Sequence, residues 1–263
     1  MNKLVVGPWV GEFGWELMSW QGRARKLAER YTEVVVCSRV GHELLYADFA
    51  DDFISHSIDG VKDCSSIRGF DVEAYRRLDA RLNKLGGVRF KPGVIFRQNE
   101  QTFVKYGHGA HVTKYDILVH ARRHIGKRSH HAYPLEEWDK LVLKLIGEGL
   151  TVAAIGTEAF LPHGAVDLRS MPLFYVANVV AAAKLVIGPS SGPMHFASLC
   201  GTKHIVWTDK GYYSALGGTN RARYERLWNP FKTPCRVIDD YGWDPPVDSL
   251  FAVILEELRD ERH

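Results

Sequence analysis

The sequence Ser190-Ser191-Gly192-Pro193-Met194-His195 follows the apolar run Leu185-Val186-Ile187. A strand that ends in two hydroxyls and a glycine, then enters a helix, presents free backbone N–H groups and the positive end of the helix dipole. That is a ready site for phosphate. The plainer alternative is that Ser190 or Ser191 caps the helix and Gly192 permits the turn. A second run, His120-Ala121-Arg122-Arg123-His124-Ile125-Gly126-Lys127-Arg128, directly follows the apolar Ile117-Leu118-Val119. Arginine grips phosphate oxygens in a fork and lysine adds a mobile charge, so Arg122 and Lys127 are donor-binding candidates beside the serine loop. The competing reading is a solvated basic loop. His130 and His131 extend the cluster, but no acidic residue or helical histidine pair joins it to favour a metal.

A third segment, Gly7-Pro8-Trp9-Val10-Gly11-Glu12-Phe13-Gly14-Trp15-Glu16, follows Leu4-Val5-Val6 without G-x-G-x-x-G spacing. Its carboxylates, Glu12 and Glu16, are the candidates for a general base or a hydroxyl-orienting group. Near a helix start, the dipole alone also accounts for Glu16. A fourth, Gly156-Thr157-Glu158, ends the run Thr151–Ile155. It would offer backbone groups to a nucleobase and Glu158 to a ribose hydroxyl, or serve only as a helix cap.

Elements that position such loops alternate along the chain. Short apolar strands are expected at 4–6, 34–36, 53–58, 117–119, 151–155, 166–168, 185–187, 204–206 and 236–238. Helices are expected near 14–31, 43–49, 71–85, 134–148, 172–183, 194–199 and 250–259, several marked by Pro at the start or Gly at the stop. Buried strands alternating with helices imply α/β units with parallel sheets covered on both faces. The pattern weakens from Gly87 to His111, which places a junction there. The expected organisation is an N-terminal Rossmann-like domain over 1–110, a second over 111–246, and a C-terminal helix over 247–263 that packs back on the first. In such sheets ligands bind beyond the carboxyl ends of the strands, where all four loops lie.

Composition narrows the class further. The 263 residues carry 34 Lys+Arg against 31 Asp+Glu, a formal charge of +3, which names no nucleic-acid partner by itself. Four cysteines without C-x-x-C spacing indicate neither a zinc site nor a disulfide framework. Met1-Asn2-Lys3 leads straight into Leu4, without the long apolar core of a signal peptide. The apolar stretch Leu173–Ala183 is too short to span a bilayer. A cytoplasmic protein without a transmembrane segment is expected.

From Ile117 to Thr208 the sequence resembles the heptosyltransferase-like group of GT-B glycosyltransferases, glycosyltransferase family 9. The resemblance rests on YPLEEWDKLVLKLIGEGLTVAAIGTE, on MPLFYVANVVAAAKLVIGPSSGPMHFASLCGTKHIVWTD, and above all on Ser191-Gly192-Pro193-Met194-His195-Phe196-Ala197. The family reads D-S-G-P-M-H-x-A there, and Ser190 stands where it has Asp. Gly11–Leu17 is similar to the family's first loop more loosely, its catalytic Asp falling on Trp15 or Glu16 by register, with Glu12 an equal candidate base. The resemblance implies two domains facing a cleft. It also implies a nucleotide diphospho-sugar as co-substrate, with no cofactor and no metal, and no Asp-x-Asp motif occurs in the chain. The donor diphosphate would meet Arg122, Lys127 and the amides of Ser191, Gly192 and Met194, with His195 orienting the loop or touching a phosphate. The nucleoside would lie near Gly156, Thr157 and Glu158, and Glu12 or Glu16 would deprotonate an acceptor hydroxyl for inverting transfer. A saccharide or glycan acceptor is expected. A modified DNA base is the alternative, read by Arg221, Arg223, Arg226, Lys232 and Arg236 interleaved with Tyr224, Trp228 and Phe231. A third reading, prompted by Ser190, is a non-catalytic or hydrolytic nucleotide-sugar binder.

Overall fold

A computed structural model describes residues 2–58, 71–92, 98–123, 131–214 and 218–259. The chain forms two compact units, Met1–Val104 and Lys105–His263. The division falls after Val104, inside the stretch where the sequence pattern fades and a few residues before the expected boundary at 110.

The N-terminal unit is built on a four-stranded parallel sheet. Its strands are β1 (Lys3–Val6), β2 (Glu33–Arg39), β3 (Asp52–His56) and β4 (Val88–Phe90), in the spatial order β3-β2-β1-β4. Val5 aligns with Val35 and Arg89, and Val36 with Phe53. The valine-rich β1 and β2 are buried because they are the inner strands, whereas the edge strand β4 exposes Val88. The connection after β1 contains a short helical turn α1 (Phe13–Trp15), a π turn (Glu16–Trp20) and helix α2 (Gln21–Ala28). Helix α3 (Val72–Asn83) starts at Asp71, whose carboxylate accepts from the amides of Glu73 and Ala74.

The C-terminal unit holds a six-stranded parallel sheet. It comprises β5 (Ile117–Val119), β6 (Val152–Ala154), β7 (Val166–Asp167), β8 (Leu185–Pro189) and β9 (His204–Trp207). A two-residue hairpin, β10 (Tyr213–Ser214) with β11 (Gly218–Thr219), stands apart, and β12 (Cys235–Ile238) completes the large sheet in the order β12-β9-β8-β5-β6-β7. Helices α4 (Leu135–Gly147), α5 (Leu173–Ala182), α6 (Gly192–Cys200), α7 (Asn220–Arg226) and α8 (Val247–Arg259) complete the unit. One face of the sheet buries Val119, Ile187 and Trp207 against Tyr133, Trp138, Leu141 and Leu145 of α4 and its approach. Leu250 and Ile254 of α8 belong to this same core, so the terminal helix packs against α4.

Among the described residues no helix is long and apolar enough to cross a membrane.

Candidate functional site

The order of strands β6-β5-β8 sets three strand-end loops side by side in the C-terminal unit. Their meeting point is His120, the first residue after β5. Its backbone continues the ladder, the amide donating to Ile187 O at 3.0 Å. Its ring Nδ1 lies 3.0 Å from Ser191 Oγ in the loop after β8. On the other side the ring presses on Gly156, which follows β6: a Cβ at Gly156 would sit 2.7 Å from His120 Cδ2. Gly156 has φ +109°, a conformation side-chain-bearing residues rarely adopt, so two independent constraints require glycine there. The loops after β5 and β6 are also joined by Phe160 N donating to Ala121 O at 2.7 Å and by an antiparallel bridge from Arg122 to Ala159.

Ser191 occupies the N-cap position of α6, yet its side chain makes no cap hydrogen bond. The hydroxyl turns to His120 instead, which sets aside the plain capping alternative for Ser191. Of the three amides expected to hold phosphate, two have partners inside the chain. Met194 N donates to Ser191 O at 3.1 Å, and the Ser191 amide interacts with the Tyr224 hydroxyl. Gly192 opens α6, at the positive end of the helix. Ser190 is half-buried, with its hydroxyl 3.5 Å from Tyr224 OH.

His195 is not at the surface of this loop. It is 6% exposed, packed on Trp228 at 4.4 Å and Tyr224 at 5.3 Å between ring centroids. Burial, then the charges of His204 and Arg223, lower its pKa to about 3, and burial followed by Arg122 does the same to His120, also to about 3. Both rings are neutral near pH 7. Of the two expected roles, this burial favours His195 orienting the loop over touching a phosphate. His120, which opens the basic loop, is a neutral hydrogen-bonding partner of Ser191. Met194 is likewise fully buried, and its amide is taken by Ser191 O. Thr157 and Glu158 are exposed beside Gly156, and Arg122 is half-buried. Lys127, with His124, Arg128 and His130, lies outside the described residues. His131 is buried and stacked on Trp243 at 4.0 Å. Among the described residues no group of His, Cys, Asp or Glu is arranged to hold a metal ion.

Of the residues named for the alternative basic, aromatic acceptor surface, Arg226 and Lys232 are exposed and others are engaged within the unit. Tyr224, Trp228 and Arg223 are buried behind the serine loop, the Arg223 guanidinium lying 5.0 Å from the Trp228 ring centroid. Arg221 pairs with Asp239, and Arg236 pairs with Glu256 and Glu257. Their charges are locally balanced, and the stacking faces are occupied by core contacts.

In the N-terminal unit, the loop after β1 is fixed to both neighbouring strands, Gly7 N donating to Phe90 O and Trp9 N to Cys37 O. Glu12 stands at the start of α1 and is half-buried. Glu16 opens the π turn and is completely buried. Ser38 Oγ and Tyr46 OH both donate to its Oε1, the latter at 2.6 Å, and His42 Nδ1 lies 2.6 Å from its Oε2. The carboxyl is thus buried and held by three hydrogen-bonding partners. It cannot itself reach a substrate hydroxyl, which corrects the reading of Glu16 as a direct base. Ser38 and Tyr46 had no sequence signal as its partners, since they lie 22 and 30 residues away along the chain.

No family model matches the sequence, and no curated protein sequence matches it. Solved structures do match in fold. The ADP-heptose LPS heptosyltransferase II of E. coli superposes with a TM-score of 0.65 at 14% identity, covering 100% of both chains. A glycosyl transferase family 9 protein of Veillonella parvula gives 0.58 at 11%, covering 98% of this chain and 97% of that one. A Listeria monocytogenes protein assigned as a UDP-N-acetylglucosamine 2-epimerase gives 0.52 at 9%, over 100% of this chain and 89% of its own. Two parallel-sheet α/β units in this order give the chain the GT-B fold, as found in heptosyltransferase-like glycosyltransferases.

Proposed function

We propose that the protein is a glycosyltransferase that moves a sugar from a nucleotide diphospho-sugar to an acceptor hydroxyl. The observation that carries this reading is the convergence of the loops after β5, β6 and β8 on His120. A hydroxyl, a helix-start amide and a glycine-permitted close approach are gathered at adjacent strand ends, where parallel sheets bind ligands. Ser191, Gly192 and the exposed backbone of the loop bind the donor diphosphate. Gly156, Thr157 and Glu158 accept the nucleoside. Arg122 and Lys127 offset the negative charge that develops on the departing nucleotide. Ser190 in place of Asp leaves the loop without a carboxylate, which favours anionic ligands there.

Transfer by a single displacement inverts the anomeric centre and needs a proton acceptor for the acceptor hydroxyl. That task falls to the strand-end loops of the N-terminal unit, where Glu12 lies and where Glu16 is sealed. A saccharide acceptor is favoured over a modified DNA base, because Tyr224 and Trp228 are unavailable for stacking and Arg221 and Arg236 are already paired. The likeness to an assigned epimerase supports one other reading, a hydrolytic or epimerising enzyme acting on the nucleotide-sugar alone.

The test begins with a melting-temperature screen against ADP, UDP, GDP and CDP. A nucleotide at 100 times its Kd stabilises by about 2.7 kcal/mol, well above detection. Incubation of the matching nucleotide-sugars with and without saccharide acceptors follows. Acceptor-dependent release of the nucleotide supports transfer, whereas equal release without acceptor supports the hydrolytic reading. Failure of every nucleotide to shift the melt refutes both.

A further inference from the structure

We infer that His42 is the proton acceptor of the N-terminal unit, held and polarised by Glu16; the inference rests on the glycosyltransferase reading. The argument is one of geometry and hydrogen-bond chemistry. Glu16 is 0% exposed, and its two oxygens take hydrogen bonds from Ser38, Tyr46 and His42. An ionised carboxylate only accepts, so Nδ1 of His42 carries the proton and Nε2 carries the lone pair. The side chain is 19% exposed, and Glu16 holds the ring at Nδ1.

His42 sits in the turn after β2, at the carboxyl end of the sheet, beside the loop that follows β1. Phe13 of that loop packs edge-on against the imidazole, with ring centroids 5.3 Å apart, and fixes its plane. Glu16 enters from a π turn, a local widening of the helix that recurs at functional sites. The one other described histidine at these strand ends is closed. His56 at the end of β3 is buried, its Nε2 engaged by Trp9 O and its Nδ1 by the amide of Ile58.

In the proposed step the acceptor oxygen forms its bond to the anomeric carbon as the bond from that carbon to the diphosphate oxygen breaks. The electron pair of the breaking bond leaves with the nucleotide diphosphate. The hydroxyl proton passes to His42 Nε2, and the resulting imidazolium is stabilised by the Glu16 carboxylate across Nδ1. Solvent then removes the proton and resets the ring. Glu16 is a positioning residue here: it fixes the tautomer and the ring plane without touching substrate.

The test uses the full chain with H42A, H42Q and E16Q in the nucleotide-sugar transfer assay. H42A and H42Q are expected to lower kcat by about 100- to 10,000-fold, with nucleotide-sugar KM, nucleotide affinity and melting temperature near wild type. Added imidazole is expected to restore H42A activity with a saturable dependence, which a structural role would not produce. E16Q is expected to lower kcat, and nitrogen-15 spectra of its imidazoles should show that His42 no longer holds its proton on Nδ1 alone. The inference is overturned if H42A stays within about threefold of wild type, or if its loss of rate is matched by loss of nucleotide affinity and folding. Activity that survives H42A but not E12Q moves the base to Glu12 and equally overturns it. A wild-type chain that binds the nucleotide-sugar yet shows no acceptor-dependent transfer overturns the glycosyltransferase reading itself, and this inference with it.

Discussion

Mild acid should loosen the C-terminal unit well before its carboxylates titrate. Three histidines there are held neutral by burial: His120 and His195 at about 3, and His204 at about 4, against an ordinary 6.5. Their folded values are depressed, so the unfolded chain binds protons that the folded chain refuses. Stability is full above pH 6.5 and falls as the pH drops from 6.5 toward 4, where His204 begins to protonate in the fold. At pH 5 each site favours the unfolded chain by about 2 kcal/mol, and the three together by about 6 kcal/mol. That is the scale of a whole domain's stability. Asp and Glu contribute little in this window because their unfolded values lie near 4. Hydrogen exchange of the β8 and β9 amides, corrected for intrinsic rates, isolates this unit in the full chain. Protection should fall by about four powers of ten between pH 7.5 and 5.0. His204→Gln should remove about 2 kcal/mol of that dependence. A loss of less than about tenfold in protection would mean that these rings accept protons in the folded state, and would refute the placement of His120 as a neutral partner of Ser191.

Other perturbations probe the same construction. Gly156→Ala places a methyl against His120 and forces a side chain into φ +109°, so a loss of about 2–4 kcal/mol is expected in chemical denaturation, with weaker nucleotide binding. Ser191→Ala removes the link to His120 but no helix cap; folding stability should change by about 1 kcal/mol or less, while calorimetry should show weakened nucleotide binding. Asp71→Ala removes two amide acceptors at the start of α3 and should cost about 1 kcal/mol without changing nucleotide affinity.

What the sequence made legible follows from how each element is buried. Strands β1, β2, β5 and β8 lie inside parallel sheets, so both faces select apolar residues and they read as runs such as Val34-Val35-Val36. The edge strand β4 did not read, because three residues with Arg89 at their centre and Val88 exposed carry no period. Helix α7 was missed for a different reason. Its inward face is Asn220, Arg223 and Tyr224, so the polar residues that usually mark solvent here mark the interior. The same inversion governs the candidate sites. Charge counted along the chain placed His120 in a basic loop and Glu16 at a substrate, but burial makes the first a neutral hydrogen-bonding group and seals the second from solvent. His42 is separated from Glu16 by 26 residues and becomes its partner only because β2 lies beside β1 and returns the chain to the same end of the sheet. Motifs located the strand ends where chemistry belongs; strand adjacency then decided which side chain at each end meets solvent and which one stands behind it. That division of labour explains why both corrections take one form. In each unit a buried residue, His120 or Glu16, holds a less buried neighbour, Ser191 or His42, at the strand ends.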